Sequence, residues 1–306
     1  MTSTSTPNLE RGIATLVEEF LANRLKHAPL PSVAERRAGY EASAVLAGDV
    51  PAGIRVEERQ VGDLTLRIYR RATQLNSDIA LYYHGGCFVS GGFATHHQQL
   101  ATLAMLSGSI VVAVSYRLAP EHPYPAAHDD AYEAAQWVYH NAALLGGDAQ
   151  RITLLGDSAG GYLALATSLR LKRQGQWLPK QQILIYPMLD PTGSSGSYQT
   201  FGEDYVITKA MLMSGFELYA GQQVNRDELN LLKCDDLAGL PTTHILTAEC
   251  DPLRDEGEQL YGLLSRKGVE VHCQRYLGVI HGFFQLAGIS PAARQCLRHV
   301  ASLISL

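Results

Sequence analysis

Residues 154–161 read Leu154-Leu155-Gly156-Asp157-Ser158-Ala159-Gly160-Gly161 (LLGDSAGG), an apolar run followed by one serine with glycine two positions before it and two after. A strand ending at Leu155 and an alanine-rich helix opening near Ala159 leave Ser158 on the corner between them. So tight a corner forces its central residue into strained backbone angles, and bulk two positions away would collide with the neighbouring strand or helix. Gly156 and Gly160 remove those collisions. The serine hydroxyl then stands clear of the sheet edge, facing the free N–H groups that open the following helix. A serine N-cap in a glycine-rich turn is the rival reading; the flanking strand and helix, with Gly161 extending the pattern, favour a nucleophile. No Lys-Ser/Thr pair follows and no G-x-G-x-x-G occurs, which argues against a phosphate-binding loop.

Other strand-like runs lie at 64–69, 79–83, 110–115, 152–155, 183–186, 244–247 and 269–275. Several are almost wholly apolar, as strands covered on both faces must be. Helical patterns separate most of them, notably 126–145, 159–173, 255–266 and 291–306. The alternation predicts an α/β fold, a mostly parallel sheet flanked by helices.

Two regions do not fit that rhythm. Leu9, Ile13, Leu16, Val17, Phe20, Leu21 and Leu25 form a helical stripe ended by Pro29 and Pro31. Ser32-Val33-Ala34-Glu35 then reads as a capping box opening a second helix that stops near Gly48. Between Asp190 and Asp236 a Gly/Ser-rich stretch precedes a short helical pattern through Met211, Leu212, Phe216 and Tyr219. Both regions read as cap elements, giving N-terminal cap helices over 1–48, a core over 49–189 and 237–306, and a cap insertion over 190–236.

A serine nucleophile needs a base, an orienting carboxylate and donors for an oxyanion. The strand at 79–83 ends in His84-Gly85-Gly86, where missing side chains let backbone N–H groups approach a ligand. Gly85 and Gly86, with Ala159 after the serine, are the expected oxyanion donors. Asp251 lies directly beyond the strand at 244–247 and is favoured as the carboxylate over Asp255, which is placed to cap the next helix. His281, in a loop beside Gly282 after the last strand, is the expected base. The chain order Ser158, Asp251, His281 is that of an α/β-hydrolase.

With those residues in hand, the chain resembles the hormone-sensitive-lipase-like esterases of the α/β-hydrolase superfamily, roughly from Val56 to the C-terminus. The likeness rests on His84-Gly85-Gly86, the stretch SYRLAPEHPYPAAHDD (115–130), GDSAGG, DPLRDEG and His281-Gly282-Phe283. It implies an eight-stranded, mostly parallel sheet with helices on both faces and a helical cap. It also implies hydrolysis of short- to medium-chain acyl esters through an acyl-enzyme, without a cofactor. Arg117, Pro120, Glu121 and Pro125 are implied to support the site from below. The family's third glycine is Cys87 here, so its side chain narrows the site or exposes it to thiol reagents. An amidase, lactonase or carbamate hydrolase would use the same triad. Outside catalysis, a small-molecule receptor is the rival, since plant gibberellin receptors share the fold; they lack the histidine present here. A homodimer through the edge of the last strand is a family habit.

Candidate pocket lining comprises Cys87, Phe88, Phe20, Met211, Met213 and Phe216, joined by Leu16 and Tyr219. Cap helices packing their stripes onto the body would explain the cap residues equally well.

The remaining composition narrows the partners. The 306 residues carry a formal charge of −5 with 18% charged side chains, so no basic surface calls for nucleic acid. The 11 histidines are scattered and the five cysteines form no CxxC pair, so no metal ligand set is expected. Free thiols, no signal-peptide pattern and no run of about 18 apolar residues point to the cytoplasm, without a membrane span.

Overall fold

The computed structural model describes residues 7–23, 29–222 and 224–306. Its sheet comprises β1 (Ile54–Val61), β2 (Leu64–Arg71), β3 (Ile79–Tyr83), β4 (Ile110–Ser115), β5 (Ile152–Asp157), β6 (Gln181–Ile185), β7 (Thr242–Cys250) and β8 (Val271–Ile280). The spatial order is β1-β2-β4-β3-β5-β6-β7-β8. The β1–β2 and β2–β4 pairs are antiparallel and the remaining pairs parallel.

The five residues of β3 show how both faces are covered. Successive side chains leave a strand on opposite faces. Ile79, Leu81 and Tyr83 enter one apolar cluster, shared with helices α4 (Ala126–His140), α5 (Ala159–Arg173) and α8 (Arg254–Arg266). Ala80 and Tyr82 enter the other, shared with α3 (Phe93–Ser107) and α9 (Pro291–Ile304). Each large apolar side chain so buried contributes roughly 1.5–3 kcal/mol.

Helices α1 (Arg11–Asn23) and α2 (Val33–Ala42) precede the sheet. Ile13 and Val17 of α1 are buried, whereas Leu21 is exposed and Leu25 lies outside the described residues. The α2 capping box forms as expected, with the Glu35 amide donating to Ser32 Oγ at 3.2 Å and the Ser32 amide to Glu35 Oε2 at 2.8 Å. Two more helices, α6 (Gly196–Phe201) and α7 (Lys209–Ala220), lie between β6 and β7.

Three expectations need correction. Strand β1 is absent from the strand-like runs because its residues are mostly exposed and no alternation marks it. Its charges serve the edge instead: Glu57 and Glu58 pair with Arg70 and Arg67 of β2, discouraging pairing with another chain. Helix α4 stops at His140 rather than 145, where the Asn141 side chain takes the Trp137 carbonyl. Strand β8 continues five residues past 275, through a stretch expected as loop. Gly278 adopts φ +70° there and donates its amide to the Glu249 side chain opposite an irregularity in β7. No helix among the described residues is long and apolar enough to cross a membrane.

Candidate active site

Strand β5 ends at Asp157, and Ser158 turns the chain into α5 with φ +54° and ψ −117°. Left-handed backbone at a non-glycine residue costs on the order of 1–3 kcal/mol and persists only where its surroundings over-determine it. Here the Ser158 amide donates to the Ile185 carbonyl at 2.9 Å, and its carbonyl accepts the Tyr162 and Met188 amides, each at 3.1 Å. A Cβ at Gly160 would strike the Tyr83 carbonyl, and one at Gly156 the Gly160 backbone. The two glycines are therefore required by close approach.

Strand β7 ends at Cys250, delivering Asp251, and β8 ends at Ile280, delivering His281. His281 Nε2 lies 3.0 Å from Ser158 Oγ, and His281 Nδ1 lies 2.8 Å from Asp251 Oδ2. The other oxygen of Asp251 accepts the Leu253 amide at 2.7 Å, which fixes the carboxylate plane. Asp251 is fully buried, and the Tyr186 ring packs on the imidazole with centroids 4.7 Å apart. With Nδ1–H turned to Asp251, Nε2 is left to accept the serine proton. Asp255 does not cap α8 as expected. Its carboxylate accepts the Ser197 amide from α6 at 2.7 Å, because α8 starts one residue earlier.

The loop after β3 differs from expectation at Gly85. Its amide is already engaged, donating to Asp157 Oδ1 at 2.8 Å. A Gly85 donor for an oxyanion is thus corrected. The amides of Gly86, Cys87 and Ala159 have no acceptor among the described residues. Cys87 and Phe88 both adopt positive φ (+54° and +64°), and Cys87 lines the same cavity as Ser158.

Asp157, to which the serine motif assigns no chemistry, organises this loop from beneath. Its Oδ1 also accepts the Tyr82 hydroxyl at 2.7 Å and lies 3.0 Å from His96 Nε2, while Oδ2 accepts Gln285 Nε2 at 3.2 Å. Burial opposes its ionisation, but His96, Tyr82 and the Gly85 amide together hold the carboxyl below its ordinary range. A buried acid next to the nucleophile, inside an otherwise small-residue motif, was the available signal. His84 stacks on Tyr116 and faces the Gly85 carbonyl through Nδ1 at 2.8 Å. Burial, with His96 nearby, lowers its pKa to about 3.

Ser158 and His281 open onto a cavity of about 410 Å³ walled by Leu16, Phe20, Cys87, Ile207, Met211 and Leu286. Met213 faces a neighbouring groove that shares Leu16, Phe20 and Met211 with it. Phe88 and Phe216 are fully buried and pack on one another and on Tyr162, with Phe88 stacked on Tyr219. These aromatic residues, Tyr219 included, belong to the core rather than the pocket lining. The α7 stripe turns Phe216 and Tyr219 inward, so the packing alternative is what holds for those two.

Residues 80–285 match the alpha/beta hydrolase fold family. The chain belongs to the hormone-sensitive-lipase-like α/β-hydrolases. It is 37% identical over 254 residues to the carboxylesterase NlhH of Mycobacterium tuberculosis, spanning 79% of each chain. It is 33% identical over 273 residues to an ethyl acetate hydrolase of Pseudomonas putida, spanning 86% of each. Among solved structures, an esterase of Pyrobaculum calidifontis is similar at 36% identity with a TM-score of 0.88, covering 98% of both chains. A thermostable esterase of Pseudomonas putida is similar at 29% identity with a TM-score of 0.92, covering 99% of this chain and 98% of that one.

Within this α/β-hydrolase the support residues divide. Arg117 grips buried Asp130 with Nη2 at 2.6 Å from Oδ1. Glu121 instead sits at the surface and takes a two-pronged contact from Arg37 of α2, at 2.7 and 2.8 Å. Arg37 also donates to the carbonyls of Val89 and Ala119, so this pair holds α2 against the loop carrying Cys87.

Proposed function

We propose that this α/β-hydrolase is a serine carboxylesterase hydrolysing short- to medium-chain acyl esters through an acyl-enzyme. The observation that carries the reading is the unbroken chain from Ser158 Oγ through His281 to Asp251. In the first half-reaction Ser158 Oγ attacks the ester carbonyl while His281 Nε2 takes its proton. Asp251 holds the imidazole tautomer and stabilises the imidazolium. The negative oxygen of the tetrahedral intermediate is bound by the amides of Gly86, Cys87 and Ala159, each worth about 3–4 kcal/mol to the transition state. Backbone donation does not depend on the side chain, so cysteine serves where the family has glycine. His281 then gives its proton to the departing alcohol, and a water repeats the steps to free the acid.

The rest of the reading follows the cavity. Residues 1–48 and 190–236 act as one cap, since Leu16, Phe20 and Met211 from them wall the space above Ser158. A cavity of this size suits a modest acyl chain, and the reaction calls for no cofactor. Five free thiols favour a cytoplasmic setting. The outer strand β8, with Leu277 exposed, is the edge along which a homodimer would pair.

Hydrolysis of p-nitrophenyl esters from two to twelve carbons, with matched amides, tests this. Esters of short to medium chains should turn over fastest and the amides far more slowly. Absence of turnover on every ester would contradict it, and preferred amides would favour the amidase reading.

A further inference from the structure

Helix α2 carries two consecutive arginines with different fates. The charge of Arg37 is matched by Glu121. Arg36 lines the same cavity as Ser158 and His281. Its Nε donates to the Pro31 carbonyl at 3.0 Å and its Nη2 to Ser214 Oγ of α7 at 3.1 Å. Both acceptors are neutral, so no carboxylate among the described residues pairs with this guanidinium. The two acids that share the cavity wall are occupied elsewhere. Glu35 is held by the Ser32 amide and hydroxyl, and Asp157 by Tyr82, Gly85, His96 and Gln285.

A half-buried cation in an apolar cavity is costly unless an anion meets it. The two hydrogen bonds fix the orientation of the planar fork in advance, which lowers the entropy lost on capturing a ligand carboxylate. The charge also reaches the loop beside the nucleophile. Burial pushes the Cys87 thiol up to about 11, and Arg36 partly opposes that rise.

We propose that Arg36 is a specificity-determining residue that selects esters bearing a carboxylate on their acyl or alcohol part. The assignment rests on the esterase reading above. With the ester carbonyl at Ser158, the second acid group of such a substrate reaches across the cavity to α2 and forms a charge-assisted, two-pronged contact.

Two pairs of probes separate the two placements of the charge. Mono-p-nitrophenyl glutarate against p-nitrophenyl valerate places it on the acyl side. The anion of 4-acetoxybenzoic acid against its methyl ester places it on the alcohol side. The readout is the charged-to-neutral ratio of kcat/KM. In at least one pair Arg36→Gln should lower that ratio about tenfold, as expected for loss of one such contact. Arg36→Lys, which keeps the charge but not the fork, should lower it less than Arg36→Gln does, and so should Ser214→Ala, which removes one of the two orienting hydrogen bonds but keeps the guanidinium. Added salt should erode the ratio in the wild type and not in Arg36→Gln. Ratios within twofold of wild type in Arg36→Gln for both pairs would overturn the assignment. So would an equal fall in Arg36→Gln, Arg36→Lys and Ser214→Ala, which would make Arg36 a structural tie. A wild type inert to the neutral esters as well as the charged ones would instead bring down the esterase reading itself.

Discussion

The amide of Gly85 donates to the carboxylate of Asp157 at 2.8 Å, so the residue just before the nucleophile grips the loop that faces it. The nucleophile's turn and the donor loop are thereby one rigid unit. Ser158 cannot shift without Asp157, nor Asp157 without Gly85.

Replacing Asp157 should therefore affect both folding and chemistry. Asp157→Ala leaves His96, Tyr82 and the Gly85 amide without their shared buried acceptor. A loss of about 3–5 kcal/mol in stability is expected from breaking a buried charged network. Urea unfolding measures it. In Asp157→Asn, which keeps one acceptor oxygen, kcat for p-nitrophenyl butyrate should fall about 10- to 100-fold with KM changed far less. A wild-type kcat in Asp157→Asn would separate this residue from the donor loop.

Acid should weaken the fold through His84. Its pKa falls from 6.5 in the unfolded chain to about 3 in the fold, because burial disfavours the imidazolium. Above pH 6.5 the ring is neutral in both states and contributes no pH dependence. As pH drops below that value the unfolded state binds a proton the native state refuses. Stability then declines by up to about 1.4 kcal/mol per pH unit until about pH 3. Urea unfolding at pH 7, 6 and 5 should show the decline, and His84→Asn should flatten it by about one proton. An unchanged slope in that variant would remove His84 as its source.

The Cys87 thiol, raised to about 11 by burial, should react slowly with iodoacetamide at pH 8 and markedly faster above pH 10. Once the thiol is labelled, the added bulk stands in the cavity beside Ser158, and turnover should fall. Full labelling of Cys87, verified by peptide mass, with an unchanged rate would show that its side chain does not meet the substrate.

Phe216 and Met211 lie five residues apart on α7 yet should respond differently to truncation. Phe216→Ala opens a hole beside Phe88 and Tyr162 and should cost about 3–5 kcal/mol of stability. Met211→Ala enlarges the cavity and should move the preferred p-nitrophenyl ester to a longer chain, with a smaller effect on thermal unfolding. An unshifted chain-length profile would take Met211 out of the acyl wall.

The contrast between these residues explains how far the sequence could be read. Ser158, Asp251 and His281 each follow a parallel strand, so strand order brings them to one edge of the sheet. Gly85 was misassigned because an amide's freedom depends on which acceptor reaches it, and Asp157 arrives from a different strand. Strand β1 left no alternation because neither of its faces is consistently buried. Its nearest clue was Gly62-Asp63, a two-residue turn between matching strands. Phe216 reads as a pocket residue because a helical stripe does not reveal which side meets the body and which the cavity, and Phe88 because it directly follows Cys87 in the loop after β3. An arginine on an exposed-looking helix is ordinarily solvated; that Arg36 meets no carboxylate among the described residues emerges only in three dimensions.

Covalent capture by a fluorophosphonate, followed by peptide mass mapping, tests the central claim most directly. One adduct per chain should form on Ser158, with labelling slowed by at least about a thousandfold in His281→Ala because the hydroxyl loses its base. An adduct elsewhere, or undiminished labelling of Ser158 without His281, would contradict the account.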